Sequence, residues 1–295
     1  MSGASVVVIG SNSTRCVTAD PLQESMDPIR RRVETRLFLH MQEGCLAAED
    51  IADAVAAIGS LIREADTPVL GIYATSAVRD AVNANQLNQA IQAAFGLPLT
   101  VLSGVEEAEA SFYGAAKREA AGMIDIGGGS TELAIGADSK ISHAISLQLG
   151  ASRLFAACPI HSRQAVQAAL EHAAMVCKQI PDAIAKHDGI GHFYSVGGTG
   201  TACACLAQGL SRKAAHVEGY VLHRDQVWEQ LMQVAEVPRE LRGRIPGFPS
   251  TRIDILPTGM AVLIAVMDRL CIDRLTVTER TNGDGLLWAA AQKRP

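Results

Sequence analysis

Asp125 and Glu132 flank three consecutive glycines, Gly127, Gly128 and Gly129, followed by Ser130 and Thr131, in the stretch Met-Ile-Asp-Ile-Gly-Gly-Gly-Ser-Thr-Glu-Leu-Ala-Ile-Gly. A carboxylate inside an apolar run is unfavourable unless it is paired or bound to a cation, so Asp125 points to chemistry. The glycines allow positive φ and remove side chains, which lets backbone N–H groups wrap an anion. Ser130 and Thr131 add hydroxyl donors at the same place. A plain hairpin turn would use the same residue types. The two flanking carboxylates move the reading to a phosphate site. It is neither a dinucleotide fingerprint nor a Walker loop, because no helix pattern or Gly-Lys-Ser follows.

Other residues offer matching chemistry, each with a plainer reading beside it. Glu106 and Glu107 lie in the first turn of a helix that begins after Gly104. Acidic residues there stabilise the helix dipole, or one of them acts as general base toward water. Arg79 follows a strand and two hydroxyl residues, where it pairs with phosphate or with a surface carboxylate. Arg15, beside Ser11, Asn12 and Ser13, has the same two readings. Gly197, Gly198 and Thr199 precede a helix and present either backbone donors to an anion or a tight strand–helix contact. Arg30-Arg31-Arg32 reads as a solvated edge strand, with a polyanion contact as the alternative. The eight histidines show no HxxxH or HxH spacing and read as ordinary residues.

These residues need elements to hold them. Val6–Gly10 is a strand, followed by a polar turn and a second strand from Cys16. Ile9-Gly10 matches Ile126-Gly127, and Ser13-Thr14 matches Ser130-Thr131, so one strand–turn–strand unit opens each half of a duplicated fold. Val8 stands at the position equivalent to Asp125. Strands are predicted at Val33–His40, Val69–Tyr73, Leu99–Leu102, Ile141–Leu147, His192–Val196 and Arg274–Val277. Helices are predicted at Glu49–Ala65, Ala84–Phe95, Val105–Ala120, Ser162–Ala185, Gln226–Val234, Leu256–Leu270 and Gly285–Gln292. The alternation is that of an α/β fold with mixed sheets. A boundary near Gly122 divides the chain into 1–121 and 122–295.

At 295 residues with 48% hydrophobic residues, the chain is long enough for two real cores. The formal net charge of -5 argues against a general nucleic-acid binder, while leaving room for a local basic cleft. Seven cysteines without a CxxC pair read as free thiols in a reducing compartment. The N-terminus carries no leader pattern, and Leu256–Leu270 is a buried helix rather than a membrane span. The expectation is a cytoplasmic protein with no membrane or nucleic-acid partner.

Together the motifs resemble the exopolyphosphatase / guanosine pentaphosphate phosphatase (Ppx/GppA) family. The likeness rests on Ile9–Arg15, Thr75–Arg79, Ser103-Gly104-Val105-Glu106-Glu107-Ala108 and Ile124–Glu132, in that order. It continues through Leu149–Leu154, Val196–Thr199, Ile245-Pro246-Gly247, Arg252-Ile253-Asp254 and Gly283–Leu287, so it covers essentially the whole chain. The resemblance implies a two-domain duplicated α/β fold of the actin, sugar-kinase and heat-shock ATPase (ribonuclease H-like) type, with an interdomain cleft. It implies release of terminal phosphate from polyphosphate or pppGpp with Mg²⁺ or Mn²⁺, and a homodimer. Carried over by position, Glu107 is the general base with Glu106 beside it, and Asp125 and Glu132 hold the metal. Ser11, Asn12, Ser13, Gly127–Thr131, Gly197–Thr199 and Arg79 contact phosphate.

Val8 is the main departure, since such proteins usually carry aspartate there. Losing that carboxylate would weaken the metal site. The competing expectation is therefore a catalytically weakened protein that binds polyphosphate or a guanosine alarmone (pppGpp/ppGpp) as a sensor. An ATP-dependent kinase or ATPase of the same fold is a third possibility, because fold alone does not fix chemistry.

Overall fold

The computed structural model describes residues 3–20, 27–116, 119–138 and 140–292. The first sheet contains β1 (Ala4–Ile9), β2 (Ser13–Ala19), β3 (Ile29–Glu34), β4 (Val69–Ala74) and β5 (Leu99–Val101), in the order β3-β2-β1-β4-β5. The second contains β6 (Ala121–Ile126), β7 (Thr131–Ala137), β8 (Lys140–Leu147), β9 (Phe193–Val196), β10 (Val221–His223) and β11 (Arg274–Val277), in the order β10-β11-β9-β6-β7-β8. Helices α1 (Leu37–His40), α2 (Ala48–Ala65), α3 (Ser76–Asp80) and α4 (Ala84–Phe95) accompany the first sheet. Between the sheets runs α5 (Gly104–Ala115). With the second sheet come α6 (Ala151–Ala157), α7 (Ala165–Cys177), α8 (Asp182–Lys186), α9 (Gly198–Gln208), α10 (Arg224–Glu236) and α11 (Ile255–Leu270). The last helix, α12 (Asn282–Gln292), packs back onto α5, β1 and β2.

The two sheets repeat one topology. In each, a hairpin adds two antiparallel strands on one side of the central strand, and two parallel strands add on the other; the second sheet ends there in one further antiparallel strand, β10. The hairpins also share their register. Ile9 faces Thr14 as Ile126 faces Thr131, and Val8 faces Arg15 as Asp125 faces Glu132. Both turns close on the same backbone bond, Gly10 N to Ser13 O and Gly127 N to Ser130 O, each 3.0 Å. Identical small-residue spacing imposes an identical turn, which is why the short repeat is visible in the sequence.

Some expected boundaries move. The strand expected at Val33–His40 is instead β3 followed by α1, because Arg36 adopts a left-handed φ of 48° that ends extended pairing. Arg30–Arg32 thus lie within the edge strand itself. The long helix expected at Ser162–Ala185 divides into α7 and α8, since Pro181 lacks an N–H and restrains the residue before it. The helix over Glu107 ends at Ala115 rather than Ala120; Lys117 and Arg118 of the expected span lie outside the described residues.

Helices α5 and α12 pack closely against each other. On α5, Ser103 and Glu106 form a reciprocal capping box, with Glu106 N donating to Ser103 Oγ at 3.3 Å and Ser103 N donating to Glu106 Oε2 at 2.8 Å. Gly285 on α12 lies directly on the Ala110 carbonyl of α5, where any Cβ would overlap that oxygen. Gly285→Ala therefore forces the two helices apart. The expected result is a loss of about 2 kcal/mol of stability, as for other overpacked contacts, read as a lower midpoint in urea unfolding. The larger core surrounds α11, whose residues are buried almost all round; Pro257 sits in its first turn, where no intrahelical N–H is needed. Among the described residues, no helix is long and apolar enough to cross a membrane.

Candidate active site

The hairpin turns of the two halves face each other across a small cleft. Its wall includes Val8, Ser11, Asn12 and Ser13 from one half, and Asp125, Gly127, Gly128 and Ser130 from the other, with Glu107, Arg15 and Arg252 completing it. The enclosed volume is ≈ 50 Å³, room for a few waters. Further contacts join the halves: Arg153 of α6 pairs with Asp80 of α3 and lies over the Phe38 ring at 4.8 Å. Arg36 also donates to the Thr251 carbonyl at 3.1 Å.

Glu107 is buried, 5% exposed, and projects from the second residue-pair of the capped helix end. Arg79 Nη1 donates to its Oε2 at 3.1 Å and to the Leu102 carbonyl at 2.8 Å. Burial pushes the Glu107 carboxyl up to about 7, the Asp125 charge adds to the rise, and Arg79 opposes it. Asp125 is likewise raised by burial, against Ser111 Oγ, which donates to its Oδ2 at 2.7 Å, and against Arg15. Glu132 is wholly buried behind the cleft and is raised by burial and by the charges of Glu107 and Asp125. Ser146 Oγ donates to its Oε1 at 2.7 Å, while its Oε2 has no hydrogen-bond partner. Burial thus holds all three carboxyl groups above their ordinary range, and neighbouring carboxylate charges add to the rise at Glu107 and Glu132.

That orphaned oxygen bears on the divalent cation implied by the motifs. Hard carboxylate oxygens suit Mg²⁺ or Mn²⁺, and a buried acceptor without a donor fits a cation neighbour. Among the described residues, no group of three or more His, Cys, Asp and Glu side chains is arranged to surround a metal. Asp125 and Glu132 would then supply part of the shell, with water and phosphate oxygens completing it, as is usual for Mg²⁺.

The expected site residues separate into groups. Ser11, Asn12, Ser13, Gly127, Gly128, Ser130, Glu107 and Asp125 come together at the cleft. Glu106 does not; its carboxylate is spent on the helix cap and is lowered by those hydrogen bonds, so the helix-end reading describes it. Arg79 stands behind Glu107 instead of facing the cleft, because a buried carboxylate at 3.1 Å claims it. Thr131 turns its hydroxyl to the Leu149 carbonyl, and Gly129 accepts Arg153 Nε at 2.6 Å. Gly197 and Gly198 line a neighbouring groove, and Thr199 is buried with an unpartnered hydroxyl. Gly127, Gly128 and Gly129 do not use positive φ; of the residues picked out for the site only Gly197 does, at 90°. Gly128 instead permits close approach, since a Cβ would fall 2.9 Å from Ser11 Cβ.

Arg252 has no assigned role in the sequence reading, yet it is 6% exposed and lowered to about 10 by burial, with Arg32 and Arg15 repelling it. Its motif with Ile253 and Asp254 was the available signal. Ser111 was also findable, because it lies one helical turn beyond Glu107 on the same face. Ser146 lies directly across the β7–β8 hairpin from Glu132, and only the register of that pairing reveals it.

The chain thus has a duplicated two-sheet α/β fold, with facing hairpin turns and buried carboxylates gathered at one cleft. The chain belongs to the Ppx/GppA phosphatase family, whose pattern matches residues 26–294. It is similar to the guanosine-5′-triphosphate,3′-diphosphate pyrophosphatase of Vibrio parahaemolyticus, 28% identical over 297 residues that make up 95% of this chain and 57% of that protein. The chain thus spans little more than half the length of the curated relatives it matches. Its fold is that of the Aquifex aeolicus Ppx/GppA family member, with a TM-score of 0.80, 22% identity, and 99% and 98% of the two chains covered. An exopolyphosphatase from Cytophaga hutchinsonii aligns with a TM-score of 0.85 at 20% identity, with 99% of each chain covered.

Proposed function

We propose that this chain is a phosphohydrolase that releases terminal orthophosphate from inorganic polyphosphate, from pppGpp, or from both. The observation that carries the reading is Glu107, a buried carboxylate with a pKa of about 7, set opposite two serine–glycine turns. A base poised near neutrality is suited to take a proton from water as that water attacks phosphorus. Arg79 holds one carboxylate oxygen and so fixes its direction. Ser11, Ser13 and Ser130, with the backbone N–H groups of the turns, would bind the phosphoryl oxygens, and Arg15 and Arg252 would offset their charge. A Mg²⁺ or Mn²⁺ held by Asp125 and Glu132 would neutralise charge developing on phosphate. The relatives' names, a pppGpp pyrophosphatase and an exopolyphosphatase, support the same two substrates. The test is phosphate release from polyphosphate and pppGpp in Mg²⁺, Mn²⁺ or EDTA. Metal-dependent release supports the reading, and silence with every substrate and metal overturns it.

Val8 favours one second reading, a binding protein with little turnover. Val8 is buried opposite Arg15, where the equivalent pair in the other half is Asp125 and Glu132. One wall of the cleft therefore carries a cation where the other carries carboxylates. The expected result of Val8→Asp is stronger Mg²⁺-induced thermal stabilisation, measured by melting the protein in a Mg²⁺ series. Turnover that appears only in Val8→Asp would favour the binding protein, whereas turnover in the unaltered chain removes that reading.

A further inference from the structure

Each of the two carboxylates assigned to the cation has one oxygen already occupied by a serine. Ser111 Oγ donates to Asp125 Oδ2 at 2.7 Å, and Ser146 Oγ donates to Glu132 Oε1 at 2.7 Å. The other oxygens are left without such a donor. Glu132 Oε2 is buried with no hydrogen-bond partner. Asp125 Oδ1 lies beside Gly197, where a Cβ would stand 2.8 Å from it, and Ser111 is the only hydrogen-bond donor to Asp125 among the described residues.

The two serines come from different elements, yet both are held by α5. Ser111 is fully buried on that helix, one turn beyond Glu107 on the same face. Ser146 lies across the β7–β8 pairing from Glu132. Gly104, the first residue of α5, packs on Ser146 so closely that any Cβ at Gly104 would overlap the serine side chain. Neither hydroxyl can swing away without leaving a buried carboxylate oxygen unpaired.

What a carboxylate offers a cation depends on how many of its oxygens are free. Ca²⁺ gathers about six to eight oxygens in a flexible shell and commonly grips a carboxylate by both. Mg²⁺ demands a strict octahedron and keeps several waters, so one oxygen from each of two carboxylates suffices. Among the described residues, no group of three His, Cys, Asp or Glu side chains is arranged to surround a cation. Two carboxylates with one free oxygen each match the second pattern.

We propose that Ser111 and Ser146 are positioning residues that select the cation: each occupies one oxygen of its carboxylate, confining Asp125 and Glu132 to single-oxygen coordination and favouring Mg²⁺ over Ca²⁺. The assignment rests on the reading that these two carboxylates hold the divalent cation.

The test measures Mg²⁺ and Ca²⁺ affinity by calorimetry, with and without dilute orthophosphate, for the unaltered chain, Ser111→Ala, Ser146→Ala and the double variant. No hydrolysable substrate is present, so turnover plays no part. Alanine keeps the Cβ and removes only the hydroxyl, and thermal melts in EDTA establish that the variants fold. The unaltered chain is expected to bind Mg²⁺ more tightly than Ca²⁺. Each single variant should lose about tenfold in Mg²⁺ affinity, the scale of removing a hydrogen-bond partner of a metal ligand. Ca²⁺ affinity should hold or improve, so the preference for Mg²⁺ shrinks about tenfold, and further in the double variant. Equal losses for the two cations mark a structural role only and overturn the proposal, as does an unchanged preference. Asp125→Asn separates the two readings. If it abolishes Mg²⁺ binding while the serine variants keep the preference, the carboxylate site stands and the serine assignment fails. If the unaltered chain binds no Mg²⁺ under either condition, or Asp125→Asn binds it undiminished, the carboxylate reading fails and the proposal falls with it.

Discussion

Glu107→Gln is expected to lower kcat for phosphate release by about a thousandfold, the scale of a positioned general base, and to raise the melting temperature of the metal-free protein at about pH 8. The two effects share one cause. Burial and the Asp125 charge raise the folded-state pKa of Glu107 from 4.5 to about 7. Below pH 4.5 the group is protonated in both folded and unfolded chains. Between there and about 7 the folded chain keeps a proton that the unfolded chain has released, so stability declines as pH rises. Above about 7 the folded state carries a buried charge that it resists. Glutamine keeps the shape and removes that charge, so melts from about pH 5 to about pH 8 should be flatter in the variant. Phosphate release by the unaltered chain should rise through the same window as the base ionises. A variant that loses activity without flattening the melting profile would detach the catalytic assignment from the electrostatic one. Retained turnover would remove Glu107 as base.

Asp125→Asn is expected to reduce kcat/KM by about two orders of magnitude or more, the scale of losing charge stabilisation at a phosphoryl group. It should also abolish the rise in melting temperature that Mg²⁺ produces. The second readout does not depend on turnover, so it separates loss of a cation ligand from loss of any other function. Asp125 accepts Ser111 Oγ at 2.7 Å and lies in register with Glu132. Asparagine keeps a carbonyl for Ser111 and removes the charge. Undiminished Mg²⁺ stabilisation in this variant would place the cation elsewhere.

Much of the fold was legible from the residues because its causes are local. The repeated Ile-Gly and Ser-Thr spacing determines two equivalent hairpin turns, each closed by the same glycine-to-serine backbone bond at 3.0 Å. Ser103 followed by Glu106 determines a capped helix start, and that start puts Glu107 and Ser111 on one face. An apolar run with an isolated Asp125 determines a strand that must bury a carboxylate. Each of these depends on neighbours within a turn or two, which is the range over which sequence spacing acts.

What the sequence could not decide is which partner each polar group would meet. Glu106 and Glu107 are adjacent, yet one caps the helix and the other enters the cleft, and only the packing of α5 between the sheets separates them. Arg79 looked free for phosphate until the fold set Glu107 at 3.1 Å from it. Ser146 reaches Glu132 only through the register of the β7–β8 pairing, and Arg252, which lines the cleft, comes from a remote element. Residues near in sequence announce shared geometry. Burial, and the pKa values and pairings that follow from it, arise from long-range contacts that bring separate strands and helices to one place.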